Sequence, residues 1–236
     1  MKNWKLKLGN VLFKYRSFTP IPLIVLVFVF FKPVDQGSGN IFINMVGFMV
    51  SLAGEFVRVI AVGYAHSGTS GRESFLKADA LNTSGIYSLV RNPLYIGNFL
   101  IFSGLVMVFA NIWAEMLATV FLFAQYYFII LCEEDFLRKQ YGQEYANYCS
   151  RVRRILPVFK NYKKNRNPFD LKKVIFKESD SVFNMLLMFL LILLYKEKVF
   201  SGSFGHLGEY AILGGFVIVI YIVIKIIKKR LILPVK

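Results

Sequence analysis

"GIYSLVRNPLYIGNFLIFSGLVMVFANIWAEMLATVFLFAQYYFIILCEED" (residues 85–135) decides the fold. Two apolar stretches, Leu94–Ala110 and Ile112–Leu131, meet at Asn111, and each is near the ~20 residues that carry a helix across hydrocarbon. Polar residues gather at the two open ends: Arg91 and Asn92 ahead of Pro93 on one side, Glu133 and Glu134 on the other. A hairpin of two spans returns its open ends to one face of a membrane. These groups are therefore predicted to share a surface, with Pro93 marking a helix start.

The rest of the chain agrees. Of 236 residues, 56% are hydrophobic and 24 are Phe, too apolar for an ordinary soluble domain of this length. Further spans read over 20–31, Ile41–Ala65, Val182–Tyr195 and Tyr210–Ile224, about six in all, giving an all-α, multi-pass transmembrane bundle. The first follows a basic start but no small-x-small cleavage site, so it reads as a retained anchor. With the N-terminus inside, segments 1–19, 66–91, 132–181 and 225–236 hold 5, 3, 12 and 5 Lys/Arg, whereas the opposite loops hold only Lys32, Lys196 and Lys198. Positive charge orients spans this way, so both termini are expected to be cytoplasmic. The net charge of +15 accompanies the apolar runs and matches anionic lipid head groups, with no soluble module to carry nucleic acid. Cys132 and Cys149 are too few for a disulfide framework or a zinc site.

Several polar features need an explanation. Glu55 and Arg58 stand three residues apart on one face of the second span, where ionisable groups are costly and tend to be paired or functional. They read as an ion pair that locks the helix, or as a site in which Arg58 reaches an anionic group. "HSGTSGR" (66–72) is a Gly/Ser turn that could offer N–H groups to an anion. The fourth span continues without a breaker to Gly142, which places Glu133 and Glu134 at the membrane surface, the latter with Arg138 as an i,i+4 pair. Tyr141, Tyr145 and Tyr148 form an aromatic stripe. Together these groups predict a polar pocket built from helix ends and the segment after the fourth span.

Four blocks, "GIYSLVRNPLYIG" (85–97), "EEDFL" (133–137), "GQEYANY" (142–148) and "RVRRILP" (151–157), resemble in order and spacing those of the isoprenylcysteine carboxyl methyltransferase and phospholipid methyltransferase superfamily. Its pattern is G-x-Y-x-x-x-R-H-P-x-Y-x-G, then E-E-x-x-L, G-x-x-Y-x-x-Y and R-V-x-R-x-x-P. The likeness extends loosely back to "VRVIAVGY" (57–64), and residues 158–236 lie outside it. It implies an integral-membrane methyltransferase, holding S-adenosyl-L-methionine in a cytosolic pocket without a Rossmann domain, with a lipid or lipid-linked acceptor entering from the bilayer. No G-x-G-x-x-G is present. Carried over by position, Asn92, Pro93, Tyr95, Gly97, Glu133, Glu134, Tyr141 and Tyr145 bind the cofactor, the tyrosine faces favouring its sulfonium. Arg91, Arg58 and Glu134 take the catalytic positions, and Arg58, Arg151 and Arg153 receive an anionic acceptor.

One departure bears on the acceptor. Asn92 stands where the superfamily has histidine, and an amide cannot titrate. A carboxylate or phosphate acceptor, already anionic, needs no base and is the expected one. The chain then divides into a methyltransferase core (1–157), a basic cytosolic linker (158–181) and a C-terminal two-span hairpin (182–236). Two alternatives remain: an NADPH-dependent sterol-type reductase and a non-catalytic lipid-binding subunit.

Overall fold

The computed structural model describes residues 3–66, 68–69 and 75–232. Among them are eight α-helices: α1 (Asn3–Lys14), α2 (Pro20–Phe30), α3 (Gly39–Tyr64), α4 (Ile86–Leu89), α5 (Pro93–Met107), α6 (Ile112–Arg151), α7 (Leu171–Ser201) and α8 (Leu207–Ile232). Strand pairing among the described residues is limited to one isolated parallel bridge, Val90 with Arg153. Three helices, α3, α6 and α8, are long and apolar enough to cross a membrane, while α2 and α5 are apolar but shorter. At 1.5 Å per residue the 15 residues of α5 rise about 22 Å, less than the ~30 Å of hydrocarbon.

Local chemistry explains the boundaries. Pro20 and Pro93 open α2 and α5, where a missing N–H costs nothing. Asn111 caps α6, its side-chain oxygen accepting from the N–H groups of Trp113 (3.1 Å) and Ala114 (3.3 Å). Asp170 does the same for α7 through Lys173 N–H (2.8 Å). That cap starts α7 well before Val182, so a single 31-residue helix contains both the end of the basic stretch and the fifth apolar run.

α3 and α5 form the tightest seam, and small residues make it possible. Gly47 and Gly54 face Gly104 and Gly97, and a Cβ added at Gly54 would lie 2.5 Å from the Gly97 carbonyl oxygen. Between them Ser51 donates to the Gly47 carbonyl (3.0 Å) and is within 3.1 Å of the Ile101 carbonyl. In lipid, where burying apolar surface gains little, close backbone approach of this kind is what holds helices together.

Gly142 ends the straight part of α6. Its φ of 50° and ψ of −119° lie outside the range of ordinary L-residues, and the chain turns there. The stripe of three tyrosines is divided as a result. Tyr141 donates its hydroxyl to the Ala78 carbonyl (2.7 Å), while Tyr145 and Tyr148 pack together past the bend.

Candidate functional site

Beyond Gly142 the chain is strapped onto residues 84–92. Arg91 N–H donates to the Arg153 carbonyl (2.9 Å), Val158 N–H to the Leu89 carbonyl (3.0 Å) and Gly85 N–H to the Lys163 carbonyl (2.8 Å). Ser88 Oγ accepts from Lys163 N–H (2.8 Å), and Tyr148 gives its hydroxyl to the Tyr87 carbonyl (2.7 Å). Two stretches remote in sequence thus become one layer over the ends of α5 and α6.

Three charged groups meet at that layer, Glu134 buried and Arg91 and Arg154 paired with it. Glu134, with 7% of its side chain exposed, accepts from Nε and Nη2 of Arg154 (2.9 and 2.5 Å) and lies 3.2 Å from Arg91. Bidentate pairing of this sort is the strongest carboxylate geometry available to arginine. Hydrogen bonding to Glu134 also raises the Arg154 pKa above its usual value. Arg91 Nε is buried without a hydrogen-bond partner among the described residues. Burial pushes the Tyr87 phenol well above the usual tyrosine range, so it stays neutral.

A cavity of about 670 Å³ opens beside this layer. Arg91, Asn92, Pro93, Tyr95, Glu133 and Glu134 line it, as do Tyr145, Tyr148 and Arg58, so the two open ends of the hairpin do meet. Away from the strap the walls become apolar, with Ile24, Ile101, Leu105 and Met188. The volume falls within the range of ordinary ligand pockets. Among the described residues no group of three metal-ligating side chains occurs.

Other predicted site residues sit elsewhere. Gly97 is buried in the α3–α5 seam, where a Cβ would meet the Arg58 Cγ at 2.5 Å. Tyr141 lies outside the cavity lining, and Arg151 is exposed, donating from Nε to the Asn147 carbonyl (3.1 Å). Arg153 is exposed too and contributes its backbone to the strap. Asn92 caps nothing; its amide donates to the Arg154 carbonyl (3.0 Å), pinning the strap to the start of α5. Of the 66–72 turn, residues 67 and 70–72 lie outside the described residues.

Arg58 does not pair with Glu55. Its Nε donates to Glu178 Oε2 of α7 (2.8 Å), its Nη2 lies 2.6 Å from the same oxygen, and Nη1 donates to Asn98. Glu55 instead accepts from Ser181. A neighbouring helix outcompetes the i,i+3 pair because it supplies acceptor and donor at better geometry. Likewise Glu134 turns away from Arg138 toward Arg154, which fills the second arginine of the R-V-x-R-x-x-P pattern, whereas the expected Arg153 fills its variable position. Its place in "RVRRILP" (151–157) is the signal that identifies it.

Residues 43–144 match the family model described as phospholipid methyltransferase. Two curated relatives named "Probable protein-S-isoprenylcysteine O-methyltransferase", from Oryza sativa subsp. indica and subsp. japonica, are each 33% identical over 119 residues. The aligned part is 49% of this chain and 62% of either relative, so the chain spans less than two thirds of the relatives it matches. No solved structure matches.

Proposed function

We propose, from the premise that residues 43–144 match the phospholipid methyltransferase family, that the chain is a membrane methyltransferase. It takes S-adenosyl-L-methionine at the strap end of the cavity and an anionic, lipid-like acceptor at the apolar end. The observation that carries this reading is the cavity itself, with buried charge at one end and aliphatic side chains at the other. A ligand from water and a ligand from lipid can meet there.

The residues fit the cofactor. Arg91 Nε lacks an acceptor that a carboxylate would supply, Glu133 and Glu134 offer acceptors to ribose hydroxyl or ammonium groups, and the Tyr145 ring face suits a cation. When bound, S-adenosyl-L-methionine supplies a methyl group on positively charged sulfur. The chain's own residues orient and exclude water. Asn92 cannot move a proton and is engaged with Arg154, so no base stands at that position. Alignment and desolvation then supply most of the acceleration, up to several kcal/mol. An acceptor that arrives ionised suits such a site, and the named relatives are O-methyltransferases of isoprenylcysteine. Positive-inside charge supports a strap on the cytosolic face.

Titrating the purified protein with S-adenosyl-L-methionine by calorimetry, then following labelled methyl transfer to an S-prenylcysteine acid and to an amine lipid, tests this. Binding with labelling of the acid is the expected result. Labelling confined to the amine, or no cofactor binding, sinks it.

A further inference from the structure

One wall of the cavity belongs to α7, outside both the 43–144 match and the 85–157 blocks. Lys177, Ser181, Asn184 and Met188 recur every three or four residues, so one stripe of the helix faces the cavity and grades from cation to thioether. Lys177 gives Nζ to the Thr69 carbonyl (3.1 Å), and Ser181 gives its hydroxyl to Glu55. Asn184 differs. Set in "VFNMLLMFLL", it is exposed on the cavity wall and makes no hydrogen bond to any described residue. A polar side chain in so apolar a helix is expensive and marks a ligand path.

Six residues back along α7, about 9 Å of helix rise, Glu178 holds Arg58 against the same cavity. Farther along, Leu187 and Met188 of α7 and Ile21 and Ile24 of α2 line it. Beyond them Phe28 and Tyr195 close α2 onto α7, their rings 5.0 Å apart. The space therefore offers an acid-binding end, an amide and an apolar end.

We infer that α7 forms the acceptor wall and that it selects a single-chain anionic amphiphile. The acidic head exchanges with Glu178 for Arg58 and satisfies the Asn184 amide, and the chain lies toward Met188. This rests on the proposed function only in that acceptor and methyl donor share the cavity. Carboxylate and phosphate heads share the required chemistry.

Direct binding to the full-length protein in detergent, without methyl donor, tests it with three probes: an S-farnesylcysteine acid, its methyl ester, and a lysophosphatidate. The acid, the lysophosphatidate or both should bind about tenfold more tightly than the neutral ester, the worth of one hydrogen bond to a charged group. Asn184→Leu, which leaves an apolar helix apolar, should weaken the preferred anion about tenfold without changing donor affinity. Glu178→Gln frees Arg58 and should tighten anion binding while leaving the ester unchanged. Ester binding as tight as the tighter of the two anions overturns the inference, as does Asn184→Leu with affinity for that anion intact. Parallel loss of donor and anion affinity also overturns it, since α7 would then serve the donor. A wild-type protein that binds the anion but no donor sinks the proposed function and leaves this inference standing.

Discussion

The strap and α7 wall the same cavity in different ways. The strap is over-determined: Glu134 is held by two arginines, Arg91 by Glu134 and the Arg153 carbonyl, and residues 84–92 by a ladder of backbone bonds. α7 is placed by side chains along its length, among them Lys177 to Thr69, Glu178 to Arg58, Ser181 to Glu55, Asp180 to Tyr221 and Lys196 to Asn44. A rigid wall suits a ligand whose shape never changes. The wall held through side chains, where a ligand acid can compete for Arg58, suits one whose chain must slide in from the side.

The largest effect is expected at the strap. Glu134→Ala leaves two guanidinium groups uncompensated, one of them only 14% exposed, and breaking a buried pair this way costs about 3–5 kcal/mol. Thermal unfolding in detergent should show that loss, and calorimetry should find no S-adenosyl-L-methionine binding. Retention of both stability and binding would place the pair outside the site and erase the contrast between the walls.

Next comes the bend. A Cβ added at Gly142 would have nothing within 4 Å of it, so Gly142→Ala tests backbone conformation alone. Forcing alanine to φ 50°, ψ −119° should cost about 1–3 kcal/mol and loosen Tyr145 and Tyr148. Donor affinity should fall and acceptor affinity should hold. If both fall together, the two walls are one unit.

That asymmetry also separates what is legible in the sequence from what is not. The strap is written in residues 85–97 and 133–157 as spaced polar types between apolar runs, and the hairpin forces their ends together. Gly142 is visible as a breaker. Arg58 with Glu55 misleads because i,i+3 spacing is a local signal, whereas the partners that win, Glu178 and Ser181, stand 120 and 126 residues from Arg58 and Glu55. No spacing rule reaches that far. The α3–α5 seam has a subtler signal: Gly47, Ser51 and Gly54 against Gly97 and Gly104, small residues at a repeat that lets backbones touch. Their pairing becomes evident only once the two helices are side by side.

The smallest effect should come from the outer support of α7. Lys225 lies 3.0 Å from Asp180 with 48% of its side chain exposed, and pairs so exposed contribute only ~0–1 kcal/mol. Lys225→Ala should therefore lower stability by less than about 1 kcal/mol, and raising salt to about 1 M should hide even that. Tyr221 still reaches Asp180 (2.8 Å) and stacks on Phe183 at 4.0 Å between ring centres. A larger, salt-resistant loss in unfolding measurements would mean that α8 grips α7 as firmly as Arg154 grips Glu134. Glu178 would then be fixed in place, with no freedom to yield Arg58 to an incoming acid.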